Sequence, residues 1–195
     1  MSTTRMLVLG CVHLIQPVHG YDVRKELLSW SADSWGNVAP GSIYNALKTL
    51  TKDGMLEVVD TDQQGARPAR TTYRLTDDGY WELMSLVRDA WWNPQARQEQ
   101  VFAGLSFMHL LPRAELIAAL KQRVLSARAQ QTSLEFQLVD VEALKPPQVG
   151  EMFRLWHRLG QATAEWAEAL TERLERGEMK TADDPAWQPP SRSAG

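Results

Sequence analysis

The chain has one cysteine, Cys11, and no apolar run long enough to span a bilayer. A single cysteine excludes an internal disulfide framework, and the apolar run from Met6 to Val12 around it predicts a buried, reduced thiol. A membrane-spanning helix needs about 20 apolar residues. The short apolar run after Arg5 continues into charged sequence without a cleavage-like site, which argues against export. We therefore expect a cytoplasmic protein with no membrane partner.

The sequence also lacks the patterns of catalytic and metal-binding sites. It has no glycine-rich phosphate loop, no Ser/His/Asp or Cys/His arrangement and no cluster of metal ligands. The four histidines are too dispersed to predict a metal site. A small enzyme is therefore the least supported class, and we expect no catalytic residue, no metal and no cofactor.

The net charge of −3 does not by itself favour a nucleic-acid partner. The placement of the charges matters more than their sum. Residues 63–76 contain Arg67, Arg70 and Arg74 and no carboxylate, and Lys48 and Lys52 lie one helical turn apart. The basic groups are few but grouped, so the charge pattern permits binding to DNA without requiring it.

The first half of the chain alternates helical and strand-like patterns. Apolar residues three and four apart predict helices, and two short β-like runs joined by a polar segment predict a hairpin. Three helices, a hairpin and a fourth helix is the order of a winged helix-turn-helix domain. The predicted elements are a helix over 4–16, a helix opening at His19-Gly20-Tyr21 with Tyr21 available to the core, a loop over 31–41, a helix from Pro40-Gly41-Ser42 to about Lys52, strands over 56–59 and 71–75, and a helix over 77–92.

The third predicted helix has two chemically different faces. Its inner face is apolar and its outer face carries small polar and basic groups, which suits a helix that lies in the major groove of B-DNA. At the hairpin tip, Arg67 and Arg70 could neutralise phosphate. The simpler explanation is that the outer helix face and the hairpin tip are ordinary solvated surfaces. Only their combination with the order of helices and hairpin favours DNA contact. The inner residues are Ile43, Leu47 and Leu50, and the outer ones are Ser42, Asn45, Lys48, Thr49 and Lys52.

Beyond Asn93-Pro94 the pattern changes to long helices only. Apolar residues recur there every three, four or seven positions, as in helices that pack on other helices. These apolar seams offer more surface than one protomer readily buries, which predicts a homodimer. We expect a mainly α fold with a small β-hairpin: a winged helix-turn-helix domain over 1–92, a C-terminal long-helix dimerisation domain over 95–178 and a disordered tail over 179–195.

Several segments resemble the PadR family of bacterial transcriptional regulators. The combination is specific, although each piece alone is weak, and together the pieces cover about the first 90 residues. A looser likeness past residue 95, at 102–108 and 111–116, is to the longer form of the family with a helical C-terminal dimerisation domain. The matching segments are Met6-Leu-Val-Leu-Gly10, His19-Gly20-Tyr21, 40–50, Asp53-Gly54-Met55-Leu56 and Arg70-Thr-Thr-Tyr-Arg-Leu-Thr76 with Gly79.

The resemblance implies a DNA-binding repressor that acts as a homodimer and releases DNA when an effector binds or a signal arrives. It implies that Tyr44 contacts a phosphate, that Lys48 lies near the groove, and that Arg70 and Tyr73 shape the wing. The sequence departs from the family pattern at Ala39, where a serine often caps the helix. It departs again at Pro68 in the wing tip.

Aromatic residues near the domain junction are candidates for an effector site. Trp91, Trp92, Phe102 and Phe107, with Met108 nearby in sequence, could line a cavity for a small aromatic ligand. Aromatic residues at such a junction more often form interdomain core. Both interpretations stay open at the level of sequence.

The main alternative function is a winged-helix module that binds another protein and not DNA. The low net charge keeps this alternative open. Salt-sensitive binding to a palindromic operator separates the two, since a protein-binding module shows none.

Overall fold

The computed structural model describes residues 2–62 and 70–185. The chain divides into two compact units, Met1–Met108 and His109–Gly195. The fold is mostly helical, with a small three-stranded antiparallel sheet, a winged helix and a long C-terminal helical region, which confirms the predicted fold class.

The first unit contains six helices and three strands among the described residues, and each helix covers an apolar core. The core is built on α1, which is buried over most of its length and includes Cys11. Burial raises the pKa of the Cys11 thiol to about 12, so the thiol is protonated at neutral pH, as its apolar surroundings predict. The elements are α1 (Thr3–Ile15), β1 (Val18–His19), α2 (Gly20–Ser29), α3 (Ala32–Trp35), α4 (Pro40–Lys52), β2 (Leu56–Asp62), β3 (Arg70–Leu75), α5 (Asp77–Trp92) and α6 (Gln98–Ser106).

The sheet has one strand more than the predicted hairpin. The strand order is β1-β3-β2, and Val18 and His19 pair with Tyr73 and Thr72 of β3. Two residues are too few to show an alternating pattern, so the sequence does not reveal β1. This strand ties the segment between α1 and α2 to the hairpin.

Two further features of the first unit differ from the sequence-based expectations. The segment 31–41, predicted as a loop, contains the single helical turn α3, which is too short to show a period. Helix α6, assigned from sequence to the C-terminal domain, packs within the first unit, where the Trp91 indole nitrogen donates a hydrogen bond to the Gly104 carbonyl at 3.3 Å. The boundary between the units therefore lies after Met108 and not at Asn93-Pro94.

The second unit is an antiparallel pair of long helices, α7 (Arg113–Leu144) and α8 (Pro147–Glu175). A 3₁₀ turn, Met108–Leu110, precedes them. Small residues on α8 let the two helices approach closely, while larger apolar groups from α7 fill the seam. The buried seam residues are Leu116, Leu120, Ala127 and Leu134 of α7 and Ala164, Ala167, Leu170 and Leu174 of α8.

The predicted apolar stripe of the last helix divides between two surfaces. Leu170 and Leu174 are buried, whereas Trp156 and Leu159, which follow the same apolar spacing along the helix, are exposed in this chain. Spacing alone places all four on one broad face, and only the position of α7 decides which of them it covers.

The segment after α8 is hydrogen-bonded, although it was expected to be part of a disordered tail. Pro112 precedes α7 and offers no side-chain acceptor, and the Asp183 carboxylate accepts a hydrogen bond from the Arg113 backbone nitrogen at 2.7 Å instead. The Arg113 guanidinium donates to the Leu174 carbonyl and to the Asp184 carboxylate, both at 2.6 Å. These polar contacts order residues up to 185, and residues 186–195 of the predicted tail lie outside the described part of the chain.

Candidate nucleic-acid interface

Helix α4 presents a polar face to solvent because its apolar side is fixed in the core. Ile43, Leu47 and Leu50 are buried. The opposite face carries the predicted DNA-binding residues of this helix, and this division confirms the amphipathic pattern read from the sequence. Exposed are Tyr44, Asn45, Lys48, Thr49 and Lys52, and Ser42 is half-buried.

The start of α4 lacks a side-chain cap. Ala39 is the N-cap residue and cannot accept a hydrogen bond through its side chain, as the departure from the family pattern predicted. Pro40 follows at the first helical position, where its missing N–H costs nothing. The Ser42 hydroxyl donates to the Ala39 carbonyl at 2.6 Å, so Ser42 is partly engaged in holding the helix start.

Gly20 is the point at which α2, α4 and β3 meet. A Cβ atom at Gly20 would lie 3.2 Å from a methyl group of Leu47, 3.5 Å from the Tyr73 ring and 3.6 Å from the Tyr44 ring. The helix and the wing strand are therefore brought together around this residue. The segment His19-Gly20-Tyr21 was noted in the sequence as the opening of a helix. Hydrophobic periodicity, however, gave no indication that the glycine is the point of close contact.

Tyr21 departs from the sequence-based expectation. We expected it to be available to the core of the domain, and it is 61% exposed at the start of α2. It follows Gly20 directly in the first turn of α2, and its side chain therefore adds to the exposed surface there. Its neighbour Val23 is the residue of this helix turn that enters the core.

Of the predicted wing residues, the structure describes the positions of Tyr73 and Arg70 but not that of Arg67. Tyr73 lies in the middle of β3, between Val18 of β1 and Val58 of β2. Arg70 is the first residue of β3 and pairs with Asp62 in the backbone register. Arg67 lies outside the described residues. The arrangement thus fixes the base of the wing, next to α4.

Ion pairs shape the charge of this surface. Arg74, the third arginine of the basic segment, pairs with Glu57 on the neighbouring strand at 2.7 Å. Asp53, which follows α4, pairs with Arg5 at 2.8 Å. Neither Lys48 nor Lys52 forms an ion pair with the residues that the structure describes, and so α4 keeps two uncompensated cations one turn apart.

Arg5 is a positioning residue that sequence reasoning missed. Its guanidinium binds Glu82 of α5 as well as Asp53, and these hydrogen bonds raise its pKa. The contact therefore joins the beginning of α1, the end of α4 and α5. No local motif marks such a long-range pair, because its members are 48 and 77 positions apart.

The four candidate effector residues differ in how far they are buried. Phe107 is fully buried, and Trp91 is buried with its indole hydrogen-bonded to Gly104. Phe102 makes an edge contact with Trp35, at 5.8 Å between ring centres. Trp92 is 43% exposed. Two of the four therefore serve as core of the first unit, and Phe102 and Trp92 keep accessible surface.

None of the helices within residues 2–62 and 70–185 combines the length and the apolar character that crossing a membrane requires.

Comparisons with known proteins found one family model that is similar to the first part of the chain. The model of the transcriptional regulator PadR-like family matches residues 8–85. No curated protein matches the sequence.

Solved structures that are similar include Bacillus subtilis PadR in complex with operator DNA, at 21% identity over 87% of this chain and 98% of that chain, with a TM-score of 0.38. Another is smu.1604c from Streptococcus mutans, at 19% identity over 89% of this chain and 97% of that chain, with a TM-score of 0.40. A third is the PadR-like regulator BC1756 from Bacillus cereus, at 17% identity over 89% of this chain and 99% of that chain, with a TM-score of 0.37.

The matched segment contains α4 and the wing, which form the polar and basic surface described above, and also part of α5. Over residues 8–85, this chain is similar to the PadR-like family of transcriptional regulators.

Proposed function

We propose that this protein is a sequence-specific DNA-binding repressor that acts in the cytoplasm, without enzymatic activity, as a homodimer on a palindromic operator. The observation that carries the proposal is the division of α4, whose apolar side is buried while Tyr44, Asn45, Lys48, Thr49 and Lys52 are exposed. A helix of this width fits the major groove of B-DNA, where amide and hydroxyl groups can bind base edges and lysines can bind phosphate.

The proposed contacts follow from the position of each residue. Asn45, Lys48 and Thr49 would face the groove, Tyr44 and Lys52 would bind the flanking phosphates, and Ser42 would lie at the entry of the helix. The wing would reach the adjacent backbone through Tyr73 at its base and through Arg67 and Arg70 nearer its tip. A contact set of this kind gives affinity through phosphates and specificity through a few base edges.

Homodimerisation is proposed through the apolar surface of the second unit. Eight large apolar side chains of α7 and α8 are exposed, from 47% for Trp156 to 76% for Phe136. Large exposed apolar side chains in such number are typical of an interaction site, and a second copy offers the same side chains in return. The exposed residues are Leu125, Phe136, Val139, Leu144, Met152, Leu155, Trp156 and Leu159.

A two-fold dimer would set two copies of α4 on one side of the duplex. Half-sites would then be separated by about 34 Å or a multiple of it. Release of the DNA by an effector or signal completes the proposal. Within the aromatic group predicted from sequence, an effector would contact Phe102 and Trp92, because Phe107 and Trp91 are occupied in the core.

The experiment that tests the proposal is binding to the promoter region beside the protein's own gene, titrated against salt. Each phosphate neutralised by a lysine or arginine steepens the dependence of log K on log salt by about 0.9. We expect saturable binding, a symmetric footprint and a steep slope, with a shuffled duplex of equal length as the control. Equal affinity for both duplexes would indicate an architectural role. Absence of binding at low salt would favour a protein-interaction module.

Repression is tested on the same DNA by transcription in vitro. The protein should reduce transcript from the intact promoter and leave a promoter with a scrambled footprint unaffected. An increase in transcript would make the protein an activator and would leave the DNA-binding part of the proposal intact.

A further inference from the structure

The end of α4 carries a carboxylate beside one of the lysines that are proposed to bind phosphate. Asp53 follows Lys52 directly as the C-cap residue of the helix, and its side chain is 39% exposed. Consecutive Cα atoms are about 3.8 Å apart, so Asp53 lies close to any phosphate that Lys52 binds. Salt would screen the resulting repulsion only partly, because the Debye length is about 10 Å at 0.1 M and about 30 Å at 0.01 M.

Arg5 of α1 compensates this carboxylate. Its Nη1 atom donates to Oδ2 of Asp53 at 2.8 Å, and its Nη2 atom donates to Oε2 of Glu82 at 2.7 Å. One cation and two carboxylates thus form a group whose net charge is −1. Without Arg5 both carboxylates would stay uncompensated at the end of α4.

The position of this end of α4 does not depend on Arg5 alone. Leu50 is fully buried in the last turn of the helix. Beyond the helix, the Thr76 hydroxyl donates to the Gly54 carbonyl at 2.7 Å. Core packing and this hydrogen bond hold the chain on both sides of Asp53, so the distinctive contribution of Arg5 is its charge.

We propose that Arg5 is a determinant of DNA affinity, which acts through Asp53 by compensating the negative charge at the end of α4. The inference rests on the proposed function, because it requires DNA at the exposed face of this helix. The whole chain has a net charge of −3, so phosphate binding depends on where carboxylates are compensated. Since the effect acts on phosphate, it is independent of the base sequence.

The test measures the affinity of the full chain for the operator duplex and for a scrambled duplex of equal length. Arg5→Gln should weaken binding to both duplexes about tenfold at about 50 mM salt, and the loss should shrink to about twofold at about 300 mM. The ratio of the two affinities should stay the same. A changed ratio, or an equal loss at both salt concentrations, would mean that Arg5 acts on the shape of the interface and would overturn the proposal.

Asp53→Asn tests the sign of the effect. It keeps the contact of Arg5 with Glu82, so it stays informative even if Arg5→Gln lowers the melting temperature. Charge compensation predicts that Asp53→Asn binds DNA about threefold more tightly at low salt, because a carboxylate beside the phosphates is removed. A purely mechanical link through Asp53 predicts weaker binding. Weaker or unchanged binding therefore contradicts the proposal.

The double variant Arg5→Gln/Asp53→Asn has the same net charge at this place as the original chain. Its affinity should return to within about twofold of the original value, because the lost cation and the lost carboxylate offset one another. Affinity as low as that of Arg5→Gln alone would refute compensation through Asp53.

Arg128→Gln is the matched control. It removes the same charge from an ion pair with Glu168 in the second unit, and it should change DNA affinity less than about twofold because salt screens distant charges. A loss as large as that of Arg5→Gln would mean that only the total charge matters, which contradicts the proposal.

Failure of this inference is distinguishable from failure of the proposed function. If the original chain binds neither duplex at low salt, the proposed function is wrong and this inference is wrong with it. If the original chain binds the operator and Arg5→Gln binds it equally well, DNA binding stands and only the role of Arg5 is refuted.

Discussion

The ring of Phe107 packs directly on the backbone of Gly10, in the middle of α1. A Cβ atom at position 10 would lie 2.2 Å from the Cζ atom of the ring, closer than any real contact of this kind. Phe107 is fully buried there and also meets the edge of Trp30, at 5.9 Å between ring centres. The glycine is therefore required by packing, and the phenylalanine, one of the residues predicted to bind an effector, is a core residue of the first unit.

Gly10→Ala should lower the free energy of unfolding, because the new methyl group and the ring cannot both be accommodated. Overpacking of this kind costs about 1–3 kcal/mol, and the higher helix propensity of alanine offsets about 1 kcal/mol of it. Chemical denaturation measures the change. In Gly10→Ala/Phe107→Leu the cost should be smaller than the sum of the two single changes. Additive costs would show that the ring does not obstruct the methyl group.

Lys48→Ala should weaken operator binding about tenfold and reduce the dependence of log K on log salt by about 1, because one phosphate contact is lost. Lys48 is exposed, so the melting temperature should stay the same. Lys145→Ala removes the same charge from an exposed position in the second unit and is the matched control. A large fall in melting temperature of Lys48→Ala would mean that the residue is structural.

Leu159→Glu should weaken self-association at least tenfold, because dimerisation would bury a carboxylate in an apolar surface. Leu159 is 58% exposed in the protomer, so the fold of the second unit should tolerate the change. Analytical ultracentrifugation compares it with Gln148→Glu, which adds the same charge at an exposed polar position of the same helix. An unaltered dimer in Leu159→Glu would place the interface on another surface.

The His13 side chain makes the stability depend on pH. Burial lowers the pKa of His13 below its ordinary value of 6.5, so the unfolded chain binds the proton more readily than the folded one. The free energy of unfolding should therefore fall as the pH drops below about 6.5, by at most about 1.4 kcal/mol per pH unit for one proton.

His13→Phe keeps a ring beside Tyr80, which lies 5.6 Å from the histidine ring, and removes the titrating group. Denaturant titrations between pH 7.5 and 5 should show a shallower loss of stability in this variant than in the original chain. Identical pH profiles would mean that other groups account for the loss.

Sequence patterns were sufficient to predict those features that depend only on residues close together in the chain. The apolar spacing of Ile43, Leu47 and Leu50 defined the buried side of α4 and, with it, the exposed polar side. The predicted start of the helix over 77–92 is confirmed, and Thr76 caps it: the Thr76 hydroxyl accepts a hydrogen bond from the Gly79 nitrogen at 3.0 Å. Caps and periodicity act within a few residues, so the sequence alone expresses them.

Very short elements and contacts between residues distant in the chain could not be predicted from sequence patterns. β1 and α3 have two and four residues, fewer than a pattern needs. The Arg5 contacts with Asp53 and Glu82, and the capping of α7 by Asp183, join residues that are distant in the chain. Such pairs form only when the core has already brought their elements together.

The amino-acid sequence by itself determined the winged-helix order, the polar face of α4 and the two long helices, because each follows from hydrophobic spacing along one segment. The tertiary structure decided the unit to which α6 belongs, the burial of Phe107 against Gly10 and the exposure of Trp156 and Leu159. These outcomes depend on which segment packs against which, and that is a property of the assembled core and not of any single segment.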